Sequence, residues 1–205
     1  MLARRIIALS PDKAFAKQLA VSLKAAGGVV DTHLNLDELG IGELSAALVV
    51  MHTRARPKQE HFADYGGAVV DDVEAFLRER MALAIEHGVS AEQILVDPGP
   101  DFAKTPQESA AVLRALPRLR DLGRPILLPV SRKYVIGAIT GRPPAERLAG
   151  TLAALLHGVA AGAAIVRVHD VAQAVDALAV WRVLEGLDEV PEFDAEDDTL
   201  KWIRS

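Results

Sequence analysis

Residues Ala164–Gln173 read AIVRVHDVAQ. A short apolar run ends here in an arginine, a histidine and an aspartate, and a helical pattern takes over from Val171. A continuous apolar run is the mark of a parallel strand covered on both faces. The decapeptide is therefore the joint of one βα unit. Side chains in a strand alternate faces, so Arg167 and His169 share one side while Val166 and Val168 take the other. Two donors on one face at a strand's end suit a bound anion.

The same unit recurs along the chain. Six apolar runs read as strands: RRIIALS (4–10), GVVDTHL (28–34), AALVVMHT (46–53), QILVDPG (93–99), RPILLPV (124–130) and AIVRVHDV (164–171). Helical patterns separate most of them. The first starts at Ser10-Pro11-Asp12, which offers an N-cap, a first-turn proline and an acid, and stops at Gly27-Gly28. The second covers Ala68 to His87. The third starts at Thr105-Pro106 and ends near Gly123, with a kink expected at Pro117. The fourth follows Pro143-Pro144, and the fifth runs from Val171 to Leu184. Between the second and third strands, NLDELGIGELS (35–45) leaves room for only a very short helix or turn. Repeated βα units with right-handed crossovers predict an α/β architecture.

Composition narrows the function. At 205 residues the chain fits one domain, since domains average roughly 100–200 residues. We expect that domain over residues 1–184, followed by an acidic tail over 185–205. Half of the residues are apolar and the net charge is -5, against the basic stripe of a nucleic-acid binder. There is no cysteine, hence no disulfide framework and no thiolate metal site. The apolar run at the N-terminus is too short for a signal peptide. The apolar stretch from Leu148 to Val166 is broken by His157 and several glycines, so it reads as a buried helix leading into a strand rather than a membrane span. A cytoplasmic protein is the expectation.

In parallel α/β sheets and barrels, ligands bind at the carboxyl ends of the strands. Asp31, Met51-His52, Asp97, Ser131-Arg132-Lys133, and Arg167 with His169 all fall at or just beyond such ends. Each taken singly has an ordinary structural reading: His52 as a satisfied core histidine, a strand-end Asp as a turn residue, SRK as a solvated loop. Their convergence on one rim favours a ligand, because burying charge without a partner costs several kcal/mol per group.

LVVMHTRARPK (48–58), ILVDPGPDFAKT (94–105), GRPILLPVSRKYVIG (123–137) and PPAERLAGTLAALLHGVAAGAAIVRVHDV (143–171), in this order and spacing, resemble the dihydropteroate synthase family. The resemblance covers Ala46 to Val183. It implies a TIM barrel that joins a hydroxymethyl-dihydropterin pyrophosphate to para-aminobenzoate in folate biosynthesis. It also implies a pterin site of Asp97, Lys133, Met51 and Asp31, a pyrophosphate site of Arg167 and His169, and a para-aminobenzoate pocket lined by Phe102 and Ser131. Lys133, Arg167 and His169 would carry the catalysis. The family has eight βα units and this chain shows six, so the expected fold is a barrel-like parallel β/α domain that is incomplete or distorted. Ser10-Pro11-Asp12 aligns with the family's first loop, or Leu9-Ser10 and Asp31-Thr32 align with its third and fourth units; helix length favours the second. The family uses magnesium, but its asparagine ligand in the first loop has no counterpart here; that position is Ala8 or absent. Asp101 replaces the usual second glycine of DPGxGF, which is expected to add negative charge near the substrate. Tyr134 replaces a residue that is often serine. Arg54, Arg56 and Lys58 are the best internal substitutes for the unmatched loops. The expected partners are a small-molecule pterin and pyrophosphate, and a second copy of the chain or a partner protein that completes the barrel, with no nucleic acid and no membrane. A non-catalytic pterin- or anion-binding homologue with a regulatory or interaction role is the alternative.

Overall fold

The computed structural model describes residues 48–54, 62–190 and 192. The expected strands at 4–10 and 28–34, and with them Asp31, lie outside the described residues. Four strands, β1 (Leu48–Met51), β2 (Ile94–Asp97), β3 (Ile126–Leu128) and β4 (Ala163–Val166), form a parallel sheet in sequence order, β1-β2-β3-β4. Neighbours in sequence are neighbours in space, with a helical crossover between each pair, as consecutive βα units of a barrel require.

The helices follow from their sequences. In α1 (Val69–Glu86), Val69, Val73 and Leu77 are four apart and buried, and they lay one stripe on the sheet. The start of α2 (Pro106–Arg114) is fixed by a capping box. Thr105 Oγ1 accepts from the Glu108 amide at 3.2 Å, and the Glu108 carboxylate accepts from the Thr105 amide at 2.8 Å. The expected break at Pro117 is present. The chain steps from α2 into α3 (Leu116–Leu119) and a 3-10 turn, and turns out at Gly123 in the left-handed region. One helix has no counterpart in the sequence reading: α4, Tyr134–Thr140. Its residues YVIGAIT include β-branched side chains and a glycine, poor intrinsic helix formers. Tertiary contacts hold it. Arg147 lies so close to Gly137 that a Cβ there would fall 2.2 Å from its guanidinium, and Asp101 binds its first turn, as described below. After α5 (Leu148–Ala160) and β4, α6 runs over Val171–Leu184 and leaves the start of the expected acidic tail behind it.

All four residues of β2 and all three of β3 are buried. The outer strands differ: Leu48 on β1 and Ala164 on β4 are exposed. The strand register sets Met51 beside Asp97 and Leu128 beside Val166. All four strands thus deliver their following loops to one end of the sheet.

Candidate active site at the carboxyl ends of the strands

Asp97 is the last residue of β2 and is 4% exposed. Its carboxylate accepts from the Gly99 amide at 2.7 Å, across the turn that Pro98 and Gly99 make. Gly99 is required there. It adopts φ +62, and a Cβ would sit 2.0 Å from the His52 carbonyl oxygen. Burial pushes the Asp97 carboxyl up to about 6, opposed by the Gly99 amide and by Lys133, Arg167 and Lys104. Three cations therefore act on one nearly inaccessible carboxylate.

Lys133 precedes α4. Its ammonium donates to the Pro100 carbonyl at 2.9 Å and lies 4.3 Å from the Phe102 ring centroid. Burial holds it below the ordinary lysine range. The loop after β2 and the loop after β3 thus meet through Lys133, Pro100 and Phe102, and Phe102 keeps part of its surface open. Met51, beside Asp97, is half-buried.

Arg167 and His169 continue the alternation expected of them. Val166 and Val168 are buried, Arg167 is half-buried and His169 is exposed. The Arg167 amide donates to the Leu128 carbonyl and so extends the β3–β4 ladder beyond the strand. Its guanidinium has no hydrogen-bond or ion-pair partner among the described residues. Ser131 Oγ accepts from the His169 amide at 3.1 Å and is 2.8 Å from His169 Nδ1. With Oγ already accepting, its hydroxyl proton is free for Nδ1, an arrangement that leaves the neutral imidazole's proton on Nε2. Burial, together with Arg132 and Arg167, holds the imidazole below its usual value, which suits that neutral form.

The remaining members of the SRK motif and its surroundings are structural. Arg132, at φ +57, forms a two-pronged ion pair with Asp170, with its shorter contact at 2.6 Å. Arg147 donates to the carbonyls of Arg132 and Lys133 at 3.0 and 3.2 Å and straps the loop from outside.

Asp101, expected to add negative charge near the substrate, uses its carboxylate to bind the start of a neighbouring helix. It adopts φ +67, and its carboxylate accepts from the amides of Tyr134 and Val135 at the start of α4. It therefore caps a helix from across the site and ties the loops after β2 and β3 together. Asp101→Gly, which tolerates the same φ, is expected to lower stability by about 1 kcal/mol, the usual worth of a cap. Asp101→Ala is expected to cost more because it adds backbone strain. Urea unfolding of the two variants measures the difference. Arg54 is likewise not a spare cation: it grips Asp72 at 2.6 and 3.0 Å. Arg56 and Lys58 lie outside the described residues.

His52, which the sequence offers both as a rim residue and as a satisfied core histidine, is the latter. It is fully buried, with Nε2 2.8 Å from Asp72 and Nδ1 2.7 Å from Lys104 Nζ. Lys104 itself, inside the quoted DPGPDFAKT run and fully buried, was given no role. Its lone signal in the sequence is a lysine close behind a glycine turn and directly before a helix cap. Among the described residues no three His, Asp or Glu side chains gather to hold a metal ion. No helix among the described residues is long and apolar enough to cross a membrane.

The comparisons with known proteins agree with this geometry. The family described as pterin binding enzyme matches residues 39–169. The chain is 43% identical over 128 residues to the dihydropteroate synthase of Synechocystis, covering 62% of this chain and 44% of that protein. To the dihydropteroate synthase of Neisseria meningitidis serogroup B it is 39% identical over 171 residues, covering 78% of this chain and 60% of that protein. It thus spans roughly half the length of these curated relatives. Among solved structures, the Burkholderia cenocepacia dihydropteroate synthase complexed with 7,8-dihydropteroate superposes with a TM-score of 0.63 at 46% identity, covering 68% of this chain and 53% of that one. The Xanthomonas albilineans enzyme with 4-aminobenzoic acid superposes with a TM-score of 0.65 at 38% identity, covering 76% and 58%. The four parallel strands and their helices are thus part of a TIM-barrel-like β/α fold, and the chain belongs to the pterin binding enzyme family.

Proposed function

We propose that the chain acts as a dihydropteroate synthase, joining a hydroxymethyl-dihydropterin pyrophosphate to para-aminobenzoate. The single observation that carries this reading is the rim itself: a buried carboxylate, Asp97, lies in the field of Lys133 and of Arg167, whose guanidinium has no hydrogen-bond or ion-pair partner among the described residues. A pterin ring offers adjacent donors, which an ionised Asp97 accepts two at a time. Lys133 and Phe102 supply a cation and an aromatic face for the flat substrates, with Met51 and Ser131 beside them. Arg167 and the Nε2–H of His169 bind the pyrophosphate as charge builds on it.

The amine nitrogen of para-aminobenzoate attacks the pterin methylene carbon. The bond from that carbon to the pyrophosphate oxygen breaks, its electron pair leaves with pyrophosphate, and the amine proton passes to solvent. No strong base is needed. The rim orients the two reactants and neutralises the leaving group. The relatives' structures with 7,8-dihydropteroate and 4-aminobenzoic acid support these two ligand classes.

Among the described residues β1 and β4 end the sheet, with Leu48 and Ala164 exposed, and a second copy of the chain or a partner protein would complete the ring. The test is pyrophosphate release in a coupled assay across a dilution series. Release that requires both substrates, and that rises per chain as the protein self-associates, is the expected result. Pterin binding with no release at any concentration overturns the catalytic reading and leaves a pterin-binding protein.

A further inference from the structure

Beneath the rim lies a chain of buried polar groups that no step of the proposed reaction uses. Lys104 Nζ is fully buried and makes three contacts: His52 Nδ1 at 2.7 Å, the Gly99 carbonyl at 2.9 Å and the Phe102 carbonyl at 3.1 Å. Behind it, His52 Nε2 meets Asp72 at 2.8 Å, and Asp72 is gripped by Arg54. A lysine with no exposed surface is rare unless its ammonium is fully satisfied. Here all three of its N–H groups have acceptors. Two of these acceptors are carbonyls three residues apart in the loop that holds Asp97 and Phe102.

We propose that Lys104, backed by His52 and Asp72, is a positioning residue that fixes the Asp97–Phe102 loop in the shape that receives the pterin and the aminobenzoate. The inference rests on the assignment of Asp97 and Phe102 as substrate contacts. The ammonium draws the Gly99 and Phe102 carbonyls to one point and so sets the path of the chain between them. That path carries Asp101 to the α4 amides and Phe102 to Lys133. The strut is directional. Burial and the neighbouring Lys104 push the His52 imidazole down to about 4, so it stays neutral, accepts at Nδ1 and donates from Nε2 to Asp72. Burial lowers Lys104 to about 8, so it remains largely charged at neutral pH, where it also favours ionised Asp97.

The test is Lys104→Met in the full chain, a change close to volume-conserving in an interior site. Two readouts are taken: amide hydrogen exchange over residues 99–104, and calorimetric affinity for a hydroxymethyl-dihydropterin pyrophosphate as a function of pH. In the folded variant, exchange in this loop is expected to accelerate tenfold or more relative to the rest of the sheet, and affinity to fall tenfold or more. Asp97 keeps Lys133 and Arg167 as neighbours but loses Lys104, so the pH midpoint of pterin binding is expected to move upward. A role in global stability alone would move none of these three in the folded protein. Should Lys104→Met not fold, Asp72→Asn, which loosens the strut at its partly exposed end, is expected to accelerate the same amides several-fold. Wild-type exchange and affinity in a folded Lys104→Met variant, or unchanged exchange in Asp72→Asn, overturns the proposal. If the wild-type chain binds no pterin, the functional reading fails, while the exchange measurement still decides whether Lys104 fixes the loop.

Discussion

Replacing Asp97 with asparagine is expected to stabilise the protein at neutral pH and to abolish its affinity for a pterin. The two effects have one cause. Asp97 is almost wholly removed from water, and burial raises its carboxyl to about 6, against about 3.9 in an unfolded chain. A group whose folded value is raised binds its proton more tightly in the native state. Its ionisation therefore opposes folding. That cost is absent below about pH 4, grows as pH rises from about 4 to 6, and is complete above about 6. The difference between the two values corresponds to about 3 kcal/mol. The substituted side chain would keep an acceptor for the Gly99 amide and carry no charge, so Asp97→Asn should gain up to about 3 kcal/mol at neutral pH and nothing at about pH 3. Urea unfolding at both pH values checks this. The affinity goes the other way. Asparagine turns one acceptor oxygen into a donor facing the donors of the pterin. The loss of one hydrogen bond to a charged group, worth about 1.5–3 kcal/mol, together with the charge behind the other, predicts a fall of roughly a hundredfold. In the wild type, pterin affinity is expected to drop as pH falls through about 6, as the carboxylate takes up its proton. Normal pterin binding by Asp97→Asn would make Asp97 a residue of the turn and nothing more.

Arg167→Ala is expected to weaken pyrophosphate binding by about 1.5–3 kcal/mol, roughly ten- to a hundredfold, while leaving the fold intact. The guanidinium has no partner among the described residues, so its removal breaks no internal ion pair there. Its backbone amide, which does hold β4 to β3 through Leu128, is untouched by the change. Two calorimetric titrations, one with pyrophosphate and one with a pterin lacking phosphate, separate the anion site from the pterin site. The variant should lose affinity in the first far more than in the second. Equal affinity of wild type and variant for pyrophosphate would remove Arg167 from the site.

The periodic and capped elements were legible from residues alone. The stretch from Val171 to Leu184 reads as a helix and is one, and Ala68–His87 is one residue wider at each end than α1. Thr105-Pro106 and Pro117 each announce a local event, a capping box and a break, that the backbone obeys. The rim was legible because strand ends are visible in a continuous apolar run. Helix α4 was not, since YVIGAIT has weak helix propensity and depends on Asp101 and Arg147 from elsewhere in the chain. The same distance hid the partners of Asp101, whose carboxylate caps α4, and of Arg54, which pairs with Asp72. It also hid the Lys104–His52–Asp72 chain, whose partners are 52 and 20 residues apart. Charge in a sequence has no address until the fold supplies its neighbours.

The most direct measurement is a calorimetric titration of the intact chain with a hydroxymethyl-dihydropterin pyrophosphate, at neutral pH and again below pH 6. The rim described by Asp97, Lys133, Arg167 and His169 predicts one saturable site per chain, tight at neutral pH and weakened in acid as Asp97 protonates. The absence of saturable binding at neutral pH, or an affinity unchanged in acid, would contradict it.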